Sequence, residues 1–187
     1  VPWLPVYDAN GDYTTSTTSL SESNYFGLEG MSNPAMILDL QKRMRYNTQI
    51  FGNAALTFHL MDGLDLKTQF GIDYHNNRDA NYTPFTPRPM INQSSEGAAS
   101  ANNSNSLYWQ EETYLTYVKD INKHHINAMA GMSWQEYNYT KFEASDSKYI
   151  DDFYGYYNLG SGTNRPSVGS DYDKWAMNSY FLRLAYS

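Results

Sequence analysis

The 187 residues contain no cysteine. That excludes a disulfide framework, a thiolate metal site and a cysteine nucleophile. No apolar run approaches the ~18 residues of a spanning helix. Positive charge is scarce: 13 Lys and Arg stand against 20 Asp and Glu, for a net charge of −7 and a pI near 4.9. A binder of phosphate backbones needs a basic stripe, so nucleic acid is excluded as a partner. There is no Gly-rich phosphate cradle and no Gly-x-Ser-x-Gly elbow. No signal peptide heads the chain. Val1-Pro2-Trp3 is not a natural start, and Ala185-Tyr186-Ser187 falls inside a strand pattern. The chain therefore reads as an internal piece of a larger protein.

Aromatic side chains are abundant. There are 18 Tyr, 8 Phe and 4 Trp, 16% of a chain whose mean hydropathy is −0.67. Many rings in a polar chain suit a wall with lipid on one side, water on the other and aromatics at the interfaces. The stretch from Ile50 to Tyr74 carries this pattern. Ile50, Gly52, Ala54, Leu56, Phe58 and Leu60 alternate with Gln49, Asn53, Thr57 and His59. After Met61-Asp62-Gly63, Leu64, Leu66, Phe70, Ile72 and Tyr74 alternate with Asp65, Lys67, Gln69, Asp73 and His75. A period of two is a strand signature. A three-residue loop with Gly63 at positive φ pairs Leu60 with Leu64, Phe58 with Leu66 and Ala54 with Phe70, all on one face. A two-residue loop would mix the faces.

From Ile50 to Leu60 such a strand rises roughly 33 Å. Tilted by ~45°, it spans roughly 23 Å, close to the ~25 Å apolar band of an outer-membrane barrel. A strand in a soluble sheet is usually only ~5–6 residues long. A large soluble antiparallel sheet is the alternative.

The pattern predicts five strands, at about 47–60, 64–78, 107–119, 124–140 and 173–187. Trp109, Thr113, Leu115 and Tyr117 share a face, as do Ile126, Ala128, Ala130, Met132 and Trp134. A four-residue turn at 120–123 pairs Tyr117 with Ile126, Leu115 with Ala128 and Trp109 with Trp134. Glu111 is a misfit on this apolar face. In the last strand Tyr180, Leu182, Leu184 and Tyr186 face one way, while Ser179, Phe181 and Arg183 face the other. Residues 1–46 lack alternation and read as an extracellular loop. Within it, an Asn10-Gly11 hairpin lies between Tyr7 and Tyr13, and Asn33-Pro34 starts a short helix near 34–43. Long loops are expected at 79–106, where Pro84, Pro87 and Pro89 break strands, and at 141–172. Short turns and long loops alternate, as in outer-membrane barrels. The fold class is all-β: an antiparallel transmembrane β-barrel segment of about five strands.

Several of these residues resemble those of the SusC/RagA-like TonB-dependent transporters. They are Gly52-Asn53-Ala54, Leu60 to Leu64, Lys67 to Tyr74, Asn33-Pro34, Lys123 to Gly131 and Ser179 to Leu184, with Pro5 to Asp8 and Gly11 to Tyr13 before the helix. The resemblance implies a 22-stranded outer-membrane barrel with an N-terminal plug, in a Bacteroidota-like bacterium. It implies import of oligosaccharides or peptides, driven by TonB–ExbB–ExbD and assisted by a SusD-like lipoprotein lid. The plug and any TonB-contacting segment lie outside this chain. A passive porin-type piece and a secreted, soluble β-rich binding module remain as alternatives.

No catalytic constellation is present, so the chain reads as no enzyme and no cofactor is expected. His124 and His125 are adjacent, so in a strand they point to opposite faces and cannot share an ion. The loop around Asp8 lacks the Gly and Glu of a calcium-binding hand. The acidic run Asp146, Asp151, Asp152, Asp171 and Asp173 lacks ligand spacing. Phe153, Tyr154, Tyr156 and Tyr157, beside Asp151 and Asp152, are candidate contacts for substrate or lid, since rings with polar tips stack on sugars and grip peptides. Trp3 and Tyr7 share that ambiguity. Outer-membrane lipid is the expected partner of Leu56, Phe58, Leu66, Phe70, Ile72, Leu115, Ile126, Trp134, Leu182 and Leu184.

Overall fold

The computed structural model describes residues 5–14, 33–84 and 96–187. Five strands account for most of them: β1 (Lys42–Met61), β2 (Leu64–Thr83), β3 (Ala98–Ile121), β4 (His124–Ser147) and β5 (Ser167–Tyr186). They form one sheet in the order β1-β2-β3-β4-β5. Among the described residues, β1 and β5 each have one strand neighbour, so the sheet is open and both edges carry unpaired backbone groups.

Register follows from cross-strand contacts. In the β1–β2 hairpin His59 meets Asp65 at 2.7 Å, and nearer the other end Arg45 meets Asp79 at 2.6 Å. Both pairs fit the Leu60–Leu64 closure. In this turn only Gly63 has positive φ (80°). A Cβ there would lie 2.1 Å from the Val118 carbonyl oxygen, so glycine is required twice over. Between β2 and β3, Val118 N–H donates to Gly63 O at 2.7 Å, and the Thr68 and Thr113 hydroxyl oxygens lie 2.8 Å apart. Between β4 and β5, His125 and Ser187 exchange backbone bonds of 2.8 and 3.1 Å.

The β3–β4 hairpin departs from the sequence expectation. Its turn is Asn122-Lys123, two residues rather than four, with Asn122 at φ 56°. Asn is among the few residues that tolerate this conformation. Asp120 and His125 therefore oppose each other, and Gly131 opposes Tyr114. Leu115 then pairs with Ala130, Tyr117 with Ala128 and Trp109 with Glu136. The expected pairings were each off by two residues. A slip of two preserves the faces, so the apolar set stays together: Ile126, Ala128, Ala130 and Met132 oppose Tyr186, Leu184, Leu182 and Tyr180.

Every strand also extends beyond its expected outer end. Within the loop expected at 79–106, β2 reaches Thr83 and β3 begins at Ala98, and the loop expected at 141–172 narrows to 148–166. The Asn/Ser-rich segment 98–106 is strand because its polar side chains pair across to β2: Asn76 donates to Asn105 and Asn81 to Ser100. The helix, α1 (Pro34–Leu40), stops three residues early because Lys42 enters β1. Asn33 caps it by accepting the Ala35 N–H at 3.1 Å and also donates to Val6 O at 2.7 Å. That bond ties α1 to the 5–14 hairpin, which closes through the Tyr7–Tyr13 bridge with Gly11 at φ 86°. Tyr13 donates to Asp39, which pushes its phenol pKa upward.

The chain divides into two compact units: Val1–Tyr46, Arg78–Asn103 and Phe142–Gly169 form the first, and Asn47–Asn77, Ser104–Lys141 and Ser170–Ser187 the second. The second is a two-faced sheet with much of its apolar surface exposed: Leu182 81%, Leu184 73% and Leu56 61%. The first holds a small core of Tyr82, Ala99 and Tyr149, against which Tyr156 and Leu159 pack.

Candidate functional site

The second unit sorts its chemistry by face. Leu56, Phe58, Leu66, Phe70, Ile72, Leu115, Ile126, Trp134, Leu182 and Leu184 all fall on one side of the register. Glu111 is held on this side. Its Oε1 accepts from Thr68 at 2.9 Å and from Thr113, while Phe70 stacks on Trp109 with 6.2 Å between ring centroids. Its Oε2 is buried without a hydrogen-bond partner.

The opposite face is polar but carries rings at two levels. At one, Lys67, Tyr114, Gly131 and Phe181 lie in a cross-strand row. Lys67 Nζ sits 5.7 Å from the Tyr114 ring centroid, and Phe181 crosses the gap over Gly131 to come within 6.3 Å of Tyr114. At the other, Trp175 stacks on Tyr137 and tilts against Tyr108, both at 6.0 Å. Sequence reasoning missed this second set. Tyr108 and Tyr137 share a level only in the corrected β3–β4 register.

In the first unit, a trough of about 670 Å³ follows two cross-strand rows of polar parity. Asn81, Ser100, Ser145 and Ser167 form one row and Asp79, Asn102 and Glu143 the other, with Arg43 and Arg45 at the β1 end. Small side chains keep it open and hydrogen bonding dominates its chemistry.

The loop 148–166 carries the candidate contacts Asp151, Asp152, Phe153, Tyr154, Tyr156 and Tyr157. Lys148 and Tyr149 donate their N–H groups to Gly97 and Glu96 at 3.1 and 3.0 Å. Tyr149 is 2% exposed, meets Tyr82 edge-on at 5.9 Å, and its hydroxyl donates to Leu159 O at 3.3 Å. Burial raises its pKa. Tyr82 donates to Asp152, and Asp151 accepts the Phe153 N–H at 3.0 Å. Phe153 packs edge-on against Tyr154 at 4.9 Å, and Tyr156 donates to Tyr157 at 3.2 Å. Tyr7 packs against Tyr13 at 5.1 Å, away from this loop's hydrogen bonds, and Trp3 lies outside the described residues.

The four histidines do not converge. His59 pairs with Asp65, His75 with Asp73, His125 with Asp120 and His124 with the Tyr186 hydroxyl. Among the described residues no three His, Cys, Asp or Glu side chains cluster as a metal site.

No family model matches the chain. It is similar to the TonB-dependent receptor P3 of Formosa agariphila, 25% identical over 185 residues and covering 99% of this chain. It is also similar to that organism's TonB-dependent receptor P26, 23% identical over 189 residues. The chain spans 17% and 18% of the length of these two relatives. Among solved structures, the RagAB peptide importer in its closed-closed state aligns over 97% of this chain and 20% of its own, with a TM-score of 0.74 and 18% identity. The RagAB peptide transporter aligns over 83% and 17%, with a TM-score of 0.71 and 20% identity. The fold is thus that of a portion of a barrel wall. The likeness to the SusC/RagA-like TonB-dependent transporters, carried first by residues scattered from Pro5 to Leu184, extends in sequence and in fold over nearly the whole chain.

Proposed function

We propose that this chain is a wall segment of a TonB-dependent importer in the outer membrane of a Bacteroidota-like bacterium. The separation of faces carries this reading. A constant register across five strands keeps the apolar set on one side, where lipid meets it. The polar set faces a lumen filled with water and a plug. The whole parent imports oligosaccharides or peptides; the relatives named TonB-dependent receptors support uptake, and the fold shared with the RagAB peptide importer accords with it. A SusD-like lipoprotein covers the outer loops, and TonB–ExbB–ExbD supplies energy through parts of the parent outside this segment. The Asn/Ser trough with its Arg and Glu margins offers donors and acceptors to either solute class. The chain itself moves no bonds.

Uptake in cells tests this reading. Deleting the full-length gene abolishes growth on one oligosaccharide or peptide source, and deleting TonB abolishes it equally. Uptake that persists without TonB makes the parent a passive porin.

A further inference from the structure

The trough of the first unit runs on past the residues already described. A second volume of about 620 Å³ shares its Asn81, Ser100, Ser145 and Ser167 and continues to Thr83, Asn164 and Arg165. Every lining residue of both volumes belongs to that one unit.

Charge is sorted along this groove. Asp79 and Glu143 stand on one cross-strand row, and Arg45 neutralises Asp79 at 2.6 Å. The next row, Arg43, Asn81, Ser100, Ser145 and Ser167, holds no carboxylate. Asp146 lines the second volume, but its side chain has the other parity, and its Oδ2 abuts Gly162. Arg43 keeps a bond of only 3.4 Å, to Gln41, and among the described residues Arg165 has no hydrogen bond or ion pair. Two guanidinium groups therefore stand ready at opposite ends of a hydroxyl-lined row, in a chain of net charge −7. Guanidinium groups match carboxylates in shape and charge, and Glu143 turns an anion away from its own row.

Four strand spacings separate Arg43 on β1 from Arg165 just ahead of β5, about 19 Å. An extended peptide covers that with about five or six residues. Asn102 Oδ1 is buried in the lining without a hydrogen-bond partner, an acceptor that a peptide N–H would satisfy. Among the described residues no aromatic ring lines either volume, so a sugar would find no face to stack on.

We propose that this groove binds a short acidic peptide in extended form, its carboxylates meeting Arg43 at one end and Arg165 at the other. The inference rests on the importer reading above and narrows its solute.

The test is calorimetry on the purified full-length transporter, with an acetylated and amidated hexapeptide carrying Asp at each end. It is expected to bind about tenfold more tightly than the same peptide ended in Asn, an advantage that shrinks as salt rises. Arg43→Gln and Arg165→Gln each weaken the Asp-ended peptide about three- to fivefold, and leave the Asn-ended one and the folded band on semi-native gels unchanged. Arg165→Glu shifts the preference toward a Lys-ended peptide. Equal binding of the Asp- and Asn-ended peptides, or an Asp preference that survives both Gln substitutions, overturns the proposal. A uronate oligosaccharide that binds more tightly than the Asp-ended peptide overturns it too. Nutrient uptake with and without TonB is followed in parallel. If uptake still needs TonB, such a failure strikes the groove alone; if it does not, the importer reading falls and the groove's assignment with it.

Discussion

Gly131 is the position where one missing methyl group organises its neighbours. A Cβ there would sit 2.5 Å from the Phe181 ring and 2.6 Å from Tyr114 Cβ. Gly131→Ala therefore overpacks the row and costs about 1–3 kcal/mol. The readout is a lower temperature for loss of the folded band of the full-length barrel on semi-native gels. Gly131→Ala combined with Phe181→Ala restores most of the loss. Glu111 poses the opposite problem. Its carboxylate is tolerated because Thr68 and Thr113 bond one oxygen. Replacing both threonines with valine leaves a charge unpaired on an apolar face, at a cost of about 1–3 kcal/mol or more. Glu111→Leu removes the charge along with the need for partners, so it is expected to be neutral or stabilising in urea titrations.

At the scale of elements, what decides is register. Period-two alternation made the five strands and their faces legible, because Leu60, Leu64, Leu182 and Leu184 declare their side plainly. The inner hairpin at Gly63 was legible too, since a wrong loop length would have mixed its faces. The Asn122-Lys123 turn was not. Loops of two and four residues preserve the same faces, so alternation is blind to the choice. One outer strand end was hidden for another reason: residues 102–106 are polar on both faces and show no alternation, yet Asn105 pairs across with Asn76. Disulfide trapping separates the two β3–β4 registers. Leu115→Cys with Ala130→Cys is expected to cross-link readily, and Leu115→Cys with Ala128→Cys poorly. The loop 148–166 carries a pH signature. Burial raises the Tyr149 pKa above its ordinary value of 10. The folded state thus holds this proton more tightly than the unfolded one, and the associated stability is complete below pH 10 and falls as pH rises beyond it. Proteolysis of the loop should accelerate above pH 10, and Tyr149→Phe should reduce that acceleration.

For the whole molecule, the sequence made the wall legible and the candidate site only in part. Phe153, Tyr154, Tyr156 and Tyr157 stood out as a ring cluster, but the packing of their loop on Tyr82 needed coordinates, because a loop has no period. Tyr108, Tyr137 and Trp175 come together only through strand pairing. The account stands on one division: lipid wets one parity and water or plug the other. A nitroxide scan from residue 179 to 186 of β5, in the full-length protein in vesicles, measures it directly. Oxygen accessibility is predicted to peak at positions 180, 182, 184 and 186 and to drop at 179, 181, 183 and 185. Accessibility without that alternation, or even-numbered sites open to a water-soluble nickel chelate as fully as odd-numbered ones, would contradict the account.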